Sequence, residues 1–167
     1  MGLNDGPSRR HTSRAPSIVE GALALWTARQ SIHTVAMTLG DERFLSLATF
    51  RRNGEPVPTP VWIVPVSGGR LGFYTTMGTG KTKRLKRDPR VTMQPCGRRG
   101  EVAPGTAVTE GTAVMVQSGP DFDAVQRDVK AKYGWEWHLM HWVVGPLATR
   151  RQKLNYADTV VIITPQP

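Results

Sequence analysis

The 167-residue sequence contains one cysteine, Cys96, so an intramolecular disulfide is excluded and no paired-cysteine zinc motif exists. A lone thiol fits a reducing compartment, and Cys96 reads as a small buried hydrophobe rather than a reactive group. No apolar run approaches the ~18–20 residues that cross a bilayer. Arg9 and Arg10 near the start are followed by no apolar stretch of the kind a secretion signal needs. The expectation is therefore a soluble, cytoplasmic protein with no membrane span. There is no Gly-x-Ser-x-Gly elbow, which leaves a hydrolase reading without support, and no internal repeat. Acidic residues are scarce as well: 13 Asp and Glu stand against 22 Lys and Arg, a formal charge of +9.

What is present is an apolar fraction of 39%, gathered into short Val, Leu, Ile and Trp runs long enough to build one core. The first sixteen residues lack apolar periodicity and read as a disordered tail, leaving 17–167 as a single domain. The excess charge implies an acidic partner. Between Lys81 and Arg90 stand Lys81, Lys83, Arg84, Lys86, Arg87 and Arg90 against Asp88 alone, so this piece carries +5. A nucleic-acid partner is not expected, because no recognition motif or aromatic strand platform accompanies the charge.

Ser17 followed by Glu20 forms a capping-box pattern, and Ile18, Ala22, Leu25 and Arg29 fall at helical spacing, which predicts a helix from Ile18 to Gln30. Ser31 to Gly40 fits no single pattern. Phe44 to Phe50 reads as a strand, and Asn53-Gly54 then predicts a tight type I′ hairpin. The returning strand, Val57 to Val66, carries Val57, Thr59, Val61 and Ile63 on one face, and Pro58 and Pro60 place its beginning at a sheet edge. Ser67-Gly68-Gly69 turns into a third strand, Leu71 to Thr76, and Arg90 to Pro95, Val108 to Gln117 and Thr159 to Thr164 read as three more. A helix begins at Pro120 with Phe122, Val125, Val129 and Tyr133 on one face, and another covers Trp137 to Thr149 with a break at Gly145-Pro146. Hairpin-linked strands with helices at the ends predict a mainly β fold, an antiparallel barrel rather than a parallel sheet.

Chemistry concentrates between Phe73 and Leu85. A strand ends in Tyr74, Thr75 and Thr76, a glycine-flanked turn follows, and a basic helix begins near Gly80. Unpaired N–H groups at a helix start attract anions, and glycines let a phosphate approach the main chain. Lys81 lies four residues before Leu85, the one large apolar residue of this helix, so both project toward the protein. A lysine held there needs a counter-charge. Lys83, Lys86 and Arg87 point elsewhere, toward solvent or along a longer acidic ligand. Gly80-Lys81-Thr82 also ends a near match to the nucleotide-hydrolase phosphate loop, but Thr75 stands at its first glycine and no parallel strand–helix unit accompanies it. His138 and His141 with Glu136 nearby have metal-site spacing without a third clear ligand, so no metal is expected.

The ordered series Pro60-Val61-Trp62-Ile63-Val64, Leu71-Gly72-Phe73-Tyr74-Thr75-Thr76, Gly80-Lys81-Thr82-Lys83-Arg84-Leu85, Asp88-Pro89-Arg90-Val91 and Thr109-Glu110-Gly111-Thr112-Ala113 resembles the pyridoxamine phosphate oxidase-like split β-barrel superfamily. Within it the likeness is greater to the flavin/deazaflavin oxidoreductase branch, and it spans about Phe44 to Val116 plus the final strand. The resemblance implies a six- to seven-stranded antiparallel split β-barrel, dimeric, with cofactor sites at the homodimer interface. It places Thr59, Pro60, Val61 and Trp62 along the cofactor ring and Tyr74, Thr75 and Thr76 at the ring edge or ribityl chain. Thr79, Gly80, Lys81 and Arg84 are implied to hold the phosphate. Thr79-Gly80 stands where the phosphate-oxidase pattern has a serine and an arginine before the lysine, which argues against vitamin B6 oxidation and against a tight FMN site.

The implied chemistry is hydride transfer from the reduced cofactor to a small electron-poor organic acceptor, with no acid–base side chain required and no catalytic residue named. Coenzyme F420 is the favoured cofactor and FMN the alternative. The deazaflavin carries an oligoglutamate tail, and the +5 segment suits such a polyanion through many contacts of about 0.2–1 kcal/mol each. Trp62, Trp135, Trp137 and Trp142 could wall an apolar acceptor pocket, although packing is the plainer use of each. Binding or storage of the cofactor without turnover is the remaining alternative.

Overall fold

The computed structural model describes residues 18–139 and 158–166, and the tail, His141, Trp142 and most of the expected Trp137–Thr149 helix lie outside them. The side chains of Trp135, Glu136, Trp137 and His138 also lie outside the description. The elements run α1 (Ile18–Asp41), β1 (Phe44–Phe50), β2 (Pro56–Trp62), β3 (Val64–Val66), β4 (Arg70–Thr75), α2 (Gly80–Arg87), β5 (Arg90–Pro95), β6 (Thr109–Val116), α3 (Pro120–Leu139) and β7 (Thr159–Pro165). The strands form one antiparallel sheet of seven in the order β2-β1-β5-β6-β7-β4-β3. The fold is mainly β, a curled half-barrel with flanking helices, as expected. No helix among the described residues is long and apolar enough to cross a membrane.

Three expectations need correction. The first helix continues past Gln30 to Asp41. Ser31, Thr34 and Thr38 are poor helix formers, yet each hydroxyl donates back to the carbonyl four residues earlier, at 3.1, 3.0 and 3.0 Å. The core grips this second half, through Ala36 and Leu39, while Leu25 of the expected apolar face is 75% exposed. The hairpin at Asn53-Gly54 has a three-residue loop rather than a two-residue one. Gly54 N–H bonds to Arg51 O at 3.0 Å, Arg51 N–H bonds to Glu55 O at 2.9 Å, and Gly54 takes φ 82°. That is a turn closed by a left-handed glycine, which leaves Phe50 paired with Pro56 and Phe44 with Trp62.

The third correction shapes the whole molecule. The expected Val57–Val66 strand is two strands, divided at Ile63. β2 pairs with β1 at one end of the sheet, and β3 pairs with β4 at the other. Because Trp62 and Val64 are separated by one residue, the sheet must curl until its two edges meet at Ile63. α3 fastens this joint. The Tyr133 hydroxyl accepts from Ile63 N–H at 2.9 Å and can donate to Arg43 O at 2.7 Å or Ile63 O at 3.0 Å. The Lys132 ammonium donates to the carbonyls of Gly40, Glu42 and Ile63.

The core has two parts. Leu45, Leu47, Ile63, Leu71, Phe73, Val91, Met93, Val161 and Ile163 fill the inside of the curl. Val64, Val125, Val129, Tyr133, Val160 and Ile162 pack α3 against the outer face. β7 contributes alternate residues to each, which is why its sequence is an unbroken Val160-Val161-Ile162-Ile163 run. Where α3 crosses β4 there is room for glycine alone: a Cβ at Gly72 would overlap Val125 and lie 2.9 Å from Val66.

Candidate functional site

β4 leaves the core at Phe73, which is buried, and Tyr74, Thr75 and Thr76 follow half-exposed. The turn to α2 is held from below: Met77 N–H donates to Asp158 Oδ1 at 2.7 Å, and Gly78 takes φ 83°. Thr79 caps α2. It has extended dihedrals, its Oγ1 accepts from Thr82 N–H at 3.5 Å, and the Thr82 hydroxyl returns a bond to Thr79 O at 3.0 Å. Thr82 and Leu85 are the buried positions of the helix.

Lys81 shares that inward side. Its Nζ stands 4.8 Å from the centre of the Phe73 ring, and among the described residues no carboxylate pairs with it. Burial, and secondarily the charge of Arg84, pull its pKa down to about 8. The ammonium keeps an opening to solvent, since no buried side-chain nitrogen or oxygen among the described residues lacks a partner. Arg84 turns the other way, donating from Nε to the buried Thr49 hydroxyl at 2.7 Å. Burial, then Arg51 and Arg87, lower its pKa. A Cβ at Gly80 would sit 3.0 Å from the Arg84 guanidinium, so glycine there leaves it room.

Lys81 opens onto a cleft of about 310 Å³ lined by Phe44, Pro60, Val61, Trp62, Tyr74, Lys81 and Arg98. Trp62 stacks on Tyr133 with centroids 4.8 Å apart and meets Tyr74 edge-on at 6.2 Å, so the aromatic wall is fixed by α3. The expected Pro60, Val61, Trp62, Tyr74 and Lys81 thus come together. Thr59, Thr75, Thr76, Thr79, Gly80 and Arg84 do not border the cleft; Thr59 lies further along β2 opposite Leu47. Phe44 and Arg98 were not foreseen. Phe44 follows from register once Trp62 is known to lie opposite it, whereas Arg98, in the loop after β5, carries no periodic signal. A larger groove beside α1, about 590 Å³ and bordered by Leu25, Ile32, His33 and Thr164, shares no residue with this cleft.

The basic segment is less concentrated than its sequence suggests. Arg90 pairs with Asp88 at 2.8 Å and lies over the Phe50 ring, and Arg87 donates to Phe50 O at 2.6 Å. Lys83 and Lys86 are exposed, and Lys81 alone of the six cations reaches the cleft.

The pattern of the pyridoxamine 5'-phosphate oxidase family matches residues 33–163, which include β1 to β6 and most of β7. The chain belongs to this family. Its fold is that of flavin-type oxidoreductases. Among solved structures, a conserved hypothetical protein of Mycobacterium tuberculosis is similar with a TM-score of 0.54 and 18% identity, over 93% of this chain and 84% of that one. A protein of Listeria innocua, provisionally assigned as a pyridoxamine 5'-phosphate oxidase, gives 0.51 and 16%, over 83% and 94%. An F420 reductase gives 0.50 and 18%, over 78% and 92%. At these identities the likeness is one of fold. No functionally curated protein matches the chain.

Chemically, the cleft offers flat apolar walls, one desolvated cation and a second, exposed cation at Arg98. Such a site suits a planar ring bearing an anionic group.

Proposed function

We propose that this member of the family is an oxidoreductase that holds a reduced deazaflavin, coenzyme F420, against Trp62 and Tyr74 and serves a small electron-poor organic acceptor. The observation that carries this reading is Lys81: a half-buried ammonium with no carboxylate among the described residues to pair with it, bordering an aromatic cleft. Holding a cation out of water is unfavourable unless an anion joins it, and a phosphate group would restore its charge. When bound, the cofactor supplies the hydride. The chain's part is to seat a flat ring between Pro60, Trp62 and Tyr74 and to neutralise the phosphate at Lys81. Thr75, Thr76 and Thr79 precede Lys81 along the chain, and Arg84 stands one turn beyond it. A second copy of the chain closes the cleft, forming a homodimer.

The fold shared with a solved F420 reductase supports the deazaflavin, and exposed Lys83 and Lys86 suit a polyanionic tail. FMN is the second reading, favoured by one observation: a single basic residue of the helix reaches the cleft, which is enough for one phosphate. Titration of the purified protein with each cofactor, followed by fluorescence, decides between them. Tighter binding of the deazaflavin is expected, and micromolar FMN binding without deazaflavin binding reverses the choice. Tight binding with no turnover across quinone and nitro acceptors would assign a storage role.

A further inference from the structure

Arg98 borders the cleft from the loop joining β5 to β6, far in sequence from Lys81. Its loop is tied to β1 and β2. Cys96 N–H bonds to Phe44 O at 3.2 Å, and Gly100 lies against Pro60, where a Cβ would fall 3.5 Å from the proline ring. Lys81, by contrast, sits with Phe73 and Tyr74. The cleft therefore has two cations, carried by separate elements, beside aromatic and proline surface. The acids closest to Arg98 in sequence are otherwise engaged: Glu101 accepts from Arg99 N–H at 3.1 Å, and among the described residues no carboxylate pairs with Arg98. An arginine beside a planar apolar slot is suited to a carboxylate, which its guanidinium can hold through two parallel hydrogen bonds.

We propose that Arg98 is a specificity-determining residue that receives the carboxylate of a planar, aromatic acceptor, so that the acceptor class is anionic. This rests on the reading of the cleft as a redox-cofactor site, with Lys81 serving the cofactor and Arg98 the acceptor. Two cations on separate elements let the two anionic ligands be recognised independently. A neutral acceptor of equal shape would keep the apolar contacts and lose the charge-assisted bonds.

The test uses 4-nitrobenzoate and its neutral counterpart 4-nitrobenzamide. Their dissociation constants are measured by calorimetry for the wild type, Arg98→Gln and Arg98→Lys, with and without saturating deazaflavin, and the deazaflavin constant is measured for each variant. The wild type is expected to prefer the carboxylate at least tenfold. Arg98→Gln abolishes the preference by weakening the carboxylate alone, Arg98→Lys restores part of it, and deazaflavin affinity changes less than twofold. Equal wild-type affinities for the two probes overturn the proposal. So does a loss of deazaflavin affinity in Arg98→Gln as large as the loss for the carboxylate, because Arg98 would then belong to the cofactor's own site. If the wild type binds neither deazaflavin nor FMN while the Arg98-dependent preference persists, the cofactor reading fails and the carboxylate site stands.

Discussion

Lys81 was legible from sequence because one interval, four residues to Leu85, fixes which side of a short helix it shares. The same spacing says nothing about Arg84. One turn along the same helix, its longer side chain reaches Thr49 on β1, a contact of 35 residues' separation that local spacing cannot encode. Lys81 also ties function to stability in a way that can be measured. Its pKa of about 8 in the fold lies below the ordinary 10.5. Below pH 8 both folded and unfolded chains hold the proton, and the fold bears the full cost of the desolvated charge. Between about 8 and 10.5 the unfolded chain retains a proton that the folded chain releases, so stability of the ligand-free protein rises with pH across that window. Lys81→Met should therefore stabilise the ligand-free protein, by on the order of 1–3 kcal/mol at pH 7, while weakening cofactor binding at least tenfold. Urea titrations of the variant and the parent check the first part and cofactor titration the second. Wild-type affinity should fall as pH rises above 8, because the free protein then carries a neutral amine where the phosphate needs an ammonium. A variant that binds as tightly as the wild type, or an affinity flat from pH 7 to about 9.5, removes Lys81 from the site.

The strands were read well at the level of elements, because period-two alternation and Gly/Pro punctuation are local signals. Arg90–Pro95 and the start of Thr159–Pro165 fall where they were expected. Val125, Val129 and Tyr133 were placed on one face of α3, and all three are buried. Two local signals misled. Gly54 supplies the positive φ of a three-residue loop, which Asn53-Gly54 alone does not distinguish from a two-residue loop. Ser31, Thr34 and Thr38 hid the second half of α1, since their helical compatibility depends on hydroxyls bonding back along the helix. The break at Ile63 had no local signal, because Tyr133, 70 residues away, satisfies the backbone groups that leave the ladder there. Tyr133→Phe should cost about 1–3 kcal/mol, the penalty for leaving buried main-chain groups without a partner, even though the ring that stacks on Trp62 is kept. A lower urea midpoint with an unchanged slope is the expected result. A loss under about 0.5 kcal/mol shows that solvent reaches Ile63 and that the joint does not depend on α3.

At the scale of the whole molecule, the order of strands was beyond local reading, but the curled antiparallel sheet was not, because hairpin connections restrict neighbours so strongly. The outward face of that sheet bears on the proposed dimer. Val114 lies within β6, an interior strand between β5 and β7, directly opposite Ile162. α3 packs over Ile162, which is 5% exposed, but does not cover Val114, which is 60% exposed. On the neighbouring strands the same face carries Ser46, Ala48, Thr92 and Gln94, and its charges, Arg90 and Glu110, are of opposite sign. A second copy of the chain seated there would cover Val114. The wild type should sediment at about twice the 18.4 kDa of one chain at micromolar concentration. Val114→Asp places an unpaired carboxylate in that contact and should shift the population toward monomer, with the far-ultraviolet circular dichroism unchanged because the residue is exposed in a single chain. If the second copy also closes the cleft, the monomeric variant should bind cofactor at least tenfold more weakly, although Val114 borders no part of it. A variant that becomes monomeric yet keeps wild-type affinity would show that one chain suffices for the site. A wild type that sediments as a monomer would remove the dimer itself.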